Sequence, residues 1–157
     1  MTATPASDRE LVLTRVIDVP REKLWRCWTE PKLMVQWFTP APWKTIHAET
    51  DVRPGGSSYV VMQGPDGQEM PNRGVYLEVI PNEKLVFTDA YTSAWQPSEN
   101  PFFTGVLTFE DLAGGKTRYT ARALHWTKEN CEAHAKMGFH EGWGVAADQM
   151  AALAKTL

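Results

Sequence analysis

A chain of 157 residues, 43% hydrophobic and 22% charged, has the composition of an ordinary globular protein and the length of one domain, 1–157. A net charge of −3, with no run of basic residues, argues against a nucleic-acid surface or attraction to anionic membrane. No stretch approaches the ~20 apolar residues of a spanning helix, and the first residues, MTATPASDRE, lack the apolar core of a signal peptide. A cytoplasmic protein without membrane insertion is therefore expected, with residues 1–8 forming a disordered tail.

The run ELVLTRVIDV (10–19) is rich in branched apolar residues and predicts a strand. Pro20 ends it and suits the start of a helix, where its missing N–H does no harm. Leu24, Trp25 and Trp28 recur at helical spacing; after Pro31, Leu33, Met34, Trp37 and Phe38 do so again, so two short helices follow the strand. From Trp43 the period changes. WKTIHAETDV, SSYVVMQ, GVYLEVI, KLVFTDAY, FFTGVLTFED and KTRYTARALHW are strand-like, with turns at RPGG (53–56), GPDG (64–67), IPNEK (80–84) and AGGK (113–116). Connections this short join antiparallel neighbours. A longer break, TSAWQPSENP, covers 92–101.

On the last strand Thr117, Tyr119, Ala121, Ala123 and His125 share one face, opposite Arg118, Thr120, Arg122 and Leu124. With the arginines toward water, the inner face carries little bulk and ends in a histidine. One final helix is expected from about Lys128 to Leu157. Phe139, Trp143, Ala146, Met150, Leu153 and Leu157 form its apolar stripe, and His134, Glu141 and Asp148 face solvent. Gly138 and Gly142 flank that stripe and are expected to let the helix lie close to the sheet or thin the roof of a pocket; Gly144 falls on the polar side.

These elements describe an α+β helix-grip fold: a curved antiparallel sheet of about six to seven strands wrapped around a long C-terminal helix, with two short helices after the first strand. In order along the chain, VPREKLWRCWTEP (19–31), QWFTP (36–40), DVRPGGSSYVVM (51–62), PDGQ (65–68), GVYLEVIPNEKLVFTDA (74–90) and GFHEGW (138–143) resemble the heat-shock-protein-90 ATPase activator-like branch of the Bet-v-1/START (SRPBCC) superfamily. The resemblance implies a cavity between sheet and C-terminal helix, which in relatives holds hydrophobic molecules. It extends to only one of the two domains of the co-chaperone members, so a chaperone contact is not the favoured partner.

Trp37, Phe38, Tyr59, Tyr76, Phe87, Phe103, Phe139 and Trp143, with Ala121, Ala123, His125 and Gly142, are the expected ligand-binding set: rings and small residues on elements that would surround such a cavity. Asp89, Tyr91 and Glu78 are further polar candidates. His134 and His140 stand about 120° apart around one helix and do not share an ion, and there is no HExxH or Cys/His cluster, so no metal is expected. Cys27 and Cys131 have no CxxC spacing and are expected as reduced thiols. RPGG sits between strands and lacks phosphate-loop spacing; no nucleophile motif accompanies it.

The expected function is binding of a small hydrophobic or aromatic ligand, without cofactor. A co-chaperone-like protein-binding domain is one alternative. A cavity-based enzyme (cyclase, dehydratase or hydrolase) using His125 is the other, with no catalytic residues assigned. An edge strand and an exposed Trp95 are compatible with a homodimer.

Overall fold

The computed structural model describes residues 4–157. Its first regular element is β1 (Glu10–Ile17), followed by α1 (Arg21–Thr29) and α2 (Pro31–Trp37). Pro31 opens α2, a position that needs no N–H. Then come β2 (Lys44–Thr50), β3 (Ser57–Gln63), β4 (Glu69–Ile80) and β5 (Lys84–Thr88). The 92–101 break holds a small separate hairpin, β6 (Tyr91–Ser93) with β7 (Gln96–Pro97), before β8 (Phe103–Leu112) and β9 (Lys116–His125). The chain closes with α3 (Lys128–Lys136) and α4 (Phe139–Ala154).

Seven strands make one antiparallel sheet in the order β1-β9-β8-β5-β4-β3-β2, a helix-grip arrangement in which the first strand closes onto the last. The register puts Leu11, Ala123, Gly105, Phe87 and Tyr76 in one row across the inner face, with Leu13, Ala121, Leu107 and Leu85 in the next. Against these rows pack α1 and α4, burying Leu24, Trp28, Phe139, Ala146, Ala147, Met150 and Ala154 in the same core. The Thr117 hydroxyl donates to the Val19 carbonyl at 2.7 Å and ties the start of β9 to the β1–α1 link.

Residues 4–8 run beside the sheet: Arg122 donates to the Thr4 carbonyl at 3.2 Å, and the Ala6 amide donates to Glu10 Oε2 at 2.8 Å. Residues 1–3 of the expected tail lie outside the described residues. No helix among the described residues is long and apolar enough to cross a membrane.

The single final helix is the main departure. Gly138 adopts a left-handed conformation (φ +92°), which an L side chain resists, and the helix breaks there into α3 and α4. The break also resets the helical phase, so His134 turns inward and is 8% exposed, not on the solvent side as the continuous wheel predicts. The expected division of the glycines changes with it. Gly142 has only Pro40 Cγ near its missing side chain, at 3.9 Å, whereas Gly144 is buried against β1, where an added Cβ would come within 2.7 Å of Arg15 Nη2. Trp95, 62% exposed, lies beside the RPGG turn at Gly55 and edge-on to Tyr91.

Two substitutions separate these roles in urea unfolding. Gly138→Ala should lose about 1 kcal/mol through the left-handed backbone, while Gly142→Ala should gain up to about 1 kcal/mol of helix propensity. Equal shifts of the two midpoints would contradict this assignment.

Candidate functional site

The small residues of β8 and β9 determine what lies on the inner face. Gly105 has no side chain, and the Phe87 ring of the neighbouring strand lies across it; any Cβ there would collide with the ring. Trp28 stacks on Phe87 (5.7 Å between centroids, 30° between planes) and meets Trp37, Phe38 and Trp143 at 4.9, 5.5 and 6.5 Å. Phe103 adds edge contacts to Phe87 at 6.1 Å and Trp143 at 6.0 Å, and Phe139 packs on Trp143 at 5.2 Å. The result is an aromatic layer between sheet and helices.

Most of the sequence-predicted set gathers here. Trp37, Phe38, Phe87, Phe103, Phe139 and Trp143 belong to the layer, and buried Tyr76 lies in the Phe87 row. Ala121 and Ala123 are fully covered in the same core as Ala146, Ala147 and Met150, so they do not line an open space. Gly142 sits half-buried beside Pro40. Tyr59 is placed elsewhere: its ring lies under the exposed Arg73 guanidinium, 3.8 Å from the centroid, and edge-on to exposed His47.

The layer is not sealed from solvent. Phe38, Phe87, Phe103 and Trp143 are only half-buried although they belong to it. Two concavities border the layer, one at His125 and one at Trp37. One, about 430 Å³, is lined by Ser7, Arg9, Thr104, Leu124, His125 and Trp126. The other, about 500 Å³, lies between α2, the start of β2 and α4, with Trp37, Trp43, Gln149 and Leu153 among its walls. There Gln149 Nε2 donates to the carbonyls of Trp37 and Thr39 at 2.8 and 2.9 Å and holds that loop against α4.

Polar groups near the layer are mostly committed to structure. The Asp89 carboxylate accepts from the Phe102 and Phe103 amides at 2.9 and 3.2 Å; burial pushes its pKa up and these bonds oppose that. Glu78 pairs with Lys84 at 2.9 Å, and Tyr91 packs on Trp95. Tyr119 is wholly buried and its hydroxyl pKa is pushed far up; the Trp28 indole beside it has no hydrogen bond of good geometry. Both cysteines are free, and burial pushes the Cys27 thiol up to about 11, so it is a poor nucleophile. Among the described residues, no three His, Cys, Asp or Glu side chains converge to hold a metal ion.

One polar pair stands out, and the sequence reading identified only half of it. At the end of β9, His125 Nδ1 lies 2.9 Å from the Arg9 carbonyl, and Nε2 lies 2.8 Å from His134 Nδ1 on α3. Phe102, Phe103 and Phe139 surround the His134 ring at 4.9, 5.2 and 5.2 Å. Burial, with His125 adding to it, lowers the His134 pKa to about 4.

The pair gives the fold an acid-side liability. Unfolded, His134 takes its proton near the ordinary value of 6.5; folded, it does so only near 4. Its contribution to stability is complete above the unfolded value and is lost as pH falls from about 6.5 through 4. In urea titrations across that window the midpoint should fall less for His134→Phe than for the parent chain. Equal falls would contradict the assignment.

The sequence pattern of the Activator of Hsp90 ATPase homolog 1-like protein family matches residues 18–155. Protein NE0264 from Nitrosomonas europaea is similar in structure, with 39% identity, a TM-score of 0.93 and 97% of each chain covered. Protein Ms6760 from Mycobacterium smegmatis shares 26% identity at a TM-score of 0.78, over 93% of this chain and 90% of that one. A protein from Arthrobacter aurescens, 21% identical with a TM-score of 0.83 over 100% of this chain and 92% of its own, shares the fold. No curated protein matches the chain. With the family's pattern running from the end of β1 to the end of α4, the chain belongs to the Activator of Hsp90 ATPase homolog 1-like protein family.

Proposed function

We propose that the protein binds a small hydrophobic or aromatic molecule, without metal or cofactor, in the cleft between the inner face of the sheet and the C-terminal helices. The observation that carries this reading is the half-burial of Phe38, Phe87, Phe103 and Trp143, rings that pack against the core yet keep edges open to solvent. Aromatic surface of this kind gains by being covered, at about 25 cal/mol for each Å² removed from water, and ring-on-ring contact adds about 0.5–1.5 kcal/mol per pair. Ligand sites are commonly apolar walls with a few placed polar groups, and here the histidine pair stands at the Phe103 end of the layer. The family relationship supports a ligand-binding or activator-like fold without specifying a ligand.

The test uses 2-methoxynaphthalene, a neutral two-ring probe. Saturable quenching of tryptophan fluorescence is expected, with amide shifts gathered around Phe38, Phe87, Phe103 and Trp143. No saturable binding, or shifts confined to the concavity at Trp43, Gln149 and Leu153, would overturn the reading.

A further inference from the structure

The histidine pair has a directional consequence that follows from hydrogen-bond bookkeeping. A backbone carbonyl only accepts, so the His125 nitrogen facing Arg9 O, Nδ1, carries the hydrogen. In neutral His125, Nε2 is then a bare acceptor. The contact of 2.8 Å with His134 requires a donor on the other side, and that donor is His134 Nδ1–H. Neutral His134 holds one hydrogen, and it is now committed. Its second nitrogen, Nε2, is left as a lone pair.

That nitrogen has no protein partner among the described residues, although His134 as a residue is only 8% exposed. Nor is it among the polar atoms fully sealed from solvent without a partner. The rings of Phe102, Phe103 and Phe139 pack around the His134 imidazole, and Phe103 continues directly into the Phe87–Trp143 part of the aromatic layer. The backbone carbonyl of Arg9 thus sets, through the His125 ring, which nitrogen is the acceptor on an imidazole packed among aromatic rings. We propose that His134 Nε2 is a hydrogen-bond acceptor that selects ligands carrying an aromatic hydroxyl, such as phenols or naphthols, with their rings placed against Phe103.

This inference rests on the cleft being a ligand site, and adds the chemical group that the ligand must present. A hydroxyl supplies the missing donor. A methyl ether of the same ring system buries equal apolar surface but leaves the lone pair unanswered. A carboxylate brings negative charge to a lone pair and to apolar rings, at a cost in desolvation. The lowered basicity of His134 supports the same conclusion, since a neutral imidazole stays an acceptor across the physiological range.

The experiment compares 2-naphthol, 2-methoxynaphthalene and 2-naphthoate by tryptophan quenching at pH 7.5, with ¹⁵N spectra of the histidine rings recorded alongside. Naphthol should bind about tenfold more tightly than its methyl ether, the worth of roughly one hydrogen bond, and naphthoate more weakly than either. The ring spectra should show hydrogen on Nδ1 of both histidines, and naphthol should move the His134 Nε2 signal. In His134→Phe the naphthol-to-ether ratio should collapse to about one. Because the wild-type ratio and the ring spectra need no variant, a misfolded His134→Phe does not rescue the proposal. Equal binding of naphthol and its ether, tighter binding of naphthoate, or hydrogen on His134 Nε2 overturns the acceptor assignment while leaving the cleft intact. Failure of all three probes to bind overturns the cleft reading and this inference together.

Discussion

The placement of the Phe87 ring across Gly105 is the contact on which the rest of the interior depends. A central strand normally spends each inward position on a side chain. Here one position is left empty so that the neighbour's ring can lie flat against the backbone. That flat ring gives Trp28 a face on which to stack, and Trp28 in turn meets rings from α2 and α4. Sheet and helices are therefore joined through aromatic contact, with the alanine rows of β9 and α4 providing the closer approach on the β1 side. At the border of this core Phe38, Phe87, Phe103 and Trp143 stay half-buried, so part of their aromatic surface faces solvent.

Much of the architecture was legible from period and punctuation. Proline at 20 and 31, the glycine turns, and the short links between strand-like runs suffice for two helices followed by an antiparallel sheet. The inner face of β9 followed from alternation, because Arg118 and Arg122 marked its outer side. The face of Tyr59 did not, since Val60 and Val61 are both buried and β3 offers no clear alternation. Gly105 carried a signal that went unused: an isolated glycine within a strand pattern marks close approach of something else.

His134 was hidden for a different reason. A helical wheel drawn from Lys128 to Leu157 assumes one axis, and the left-handed Gly138 gives the chain two. Lys136 followed by Met137 and Gly138 is an ordinary helix-stop signal, a basic last turn and then glycine, and it predicts the break when given priority over the apolar period. Once the break is placed, α3 is free to bring His134 against His125. The histidine pair is thus a product of the same glycine that interrupts the helix. One fold can host many functions, and local chemistry of this kind is what distinguishes them.

The most direct measurement is on Gly105→Ala. If Phe87 across Gly105 anchors the aromatic layer, one added methyl must displace the ring. Stability should then fall by about 1–3 kcal/mol, as for overpacked cores, and the near-ultraviolet circular dichroism of the stacked tryptophans should change while far-ultraviolet spectra keep their shape. A variant with unaltered unfolding midpoint and unaltered tryptophan signal would show that the layer does not depend on this contact, and would contradict the account.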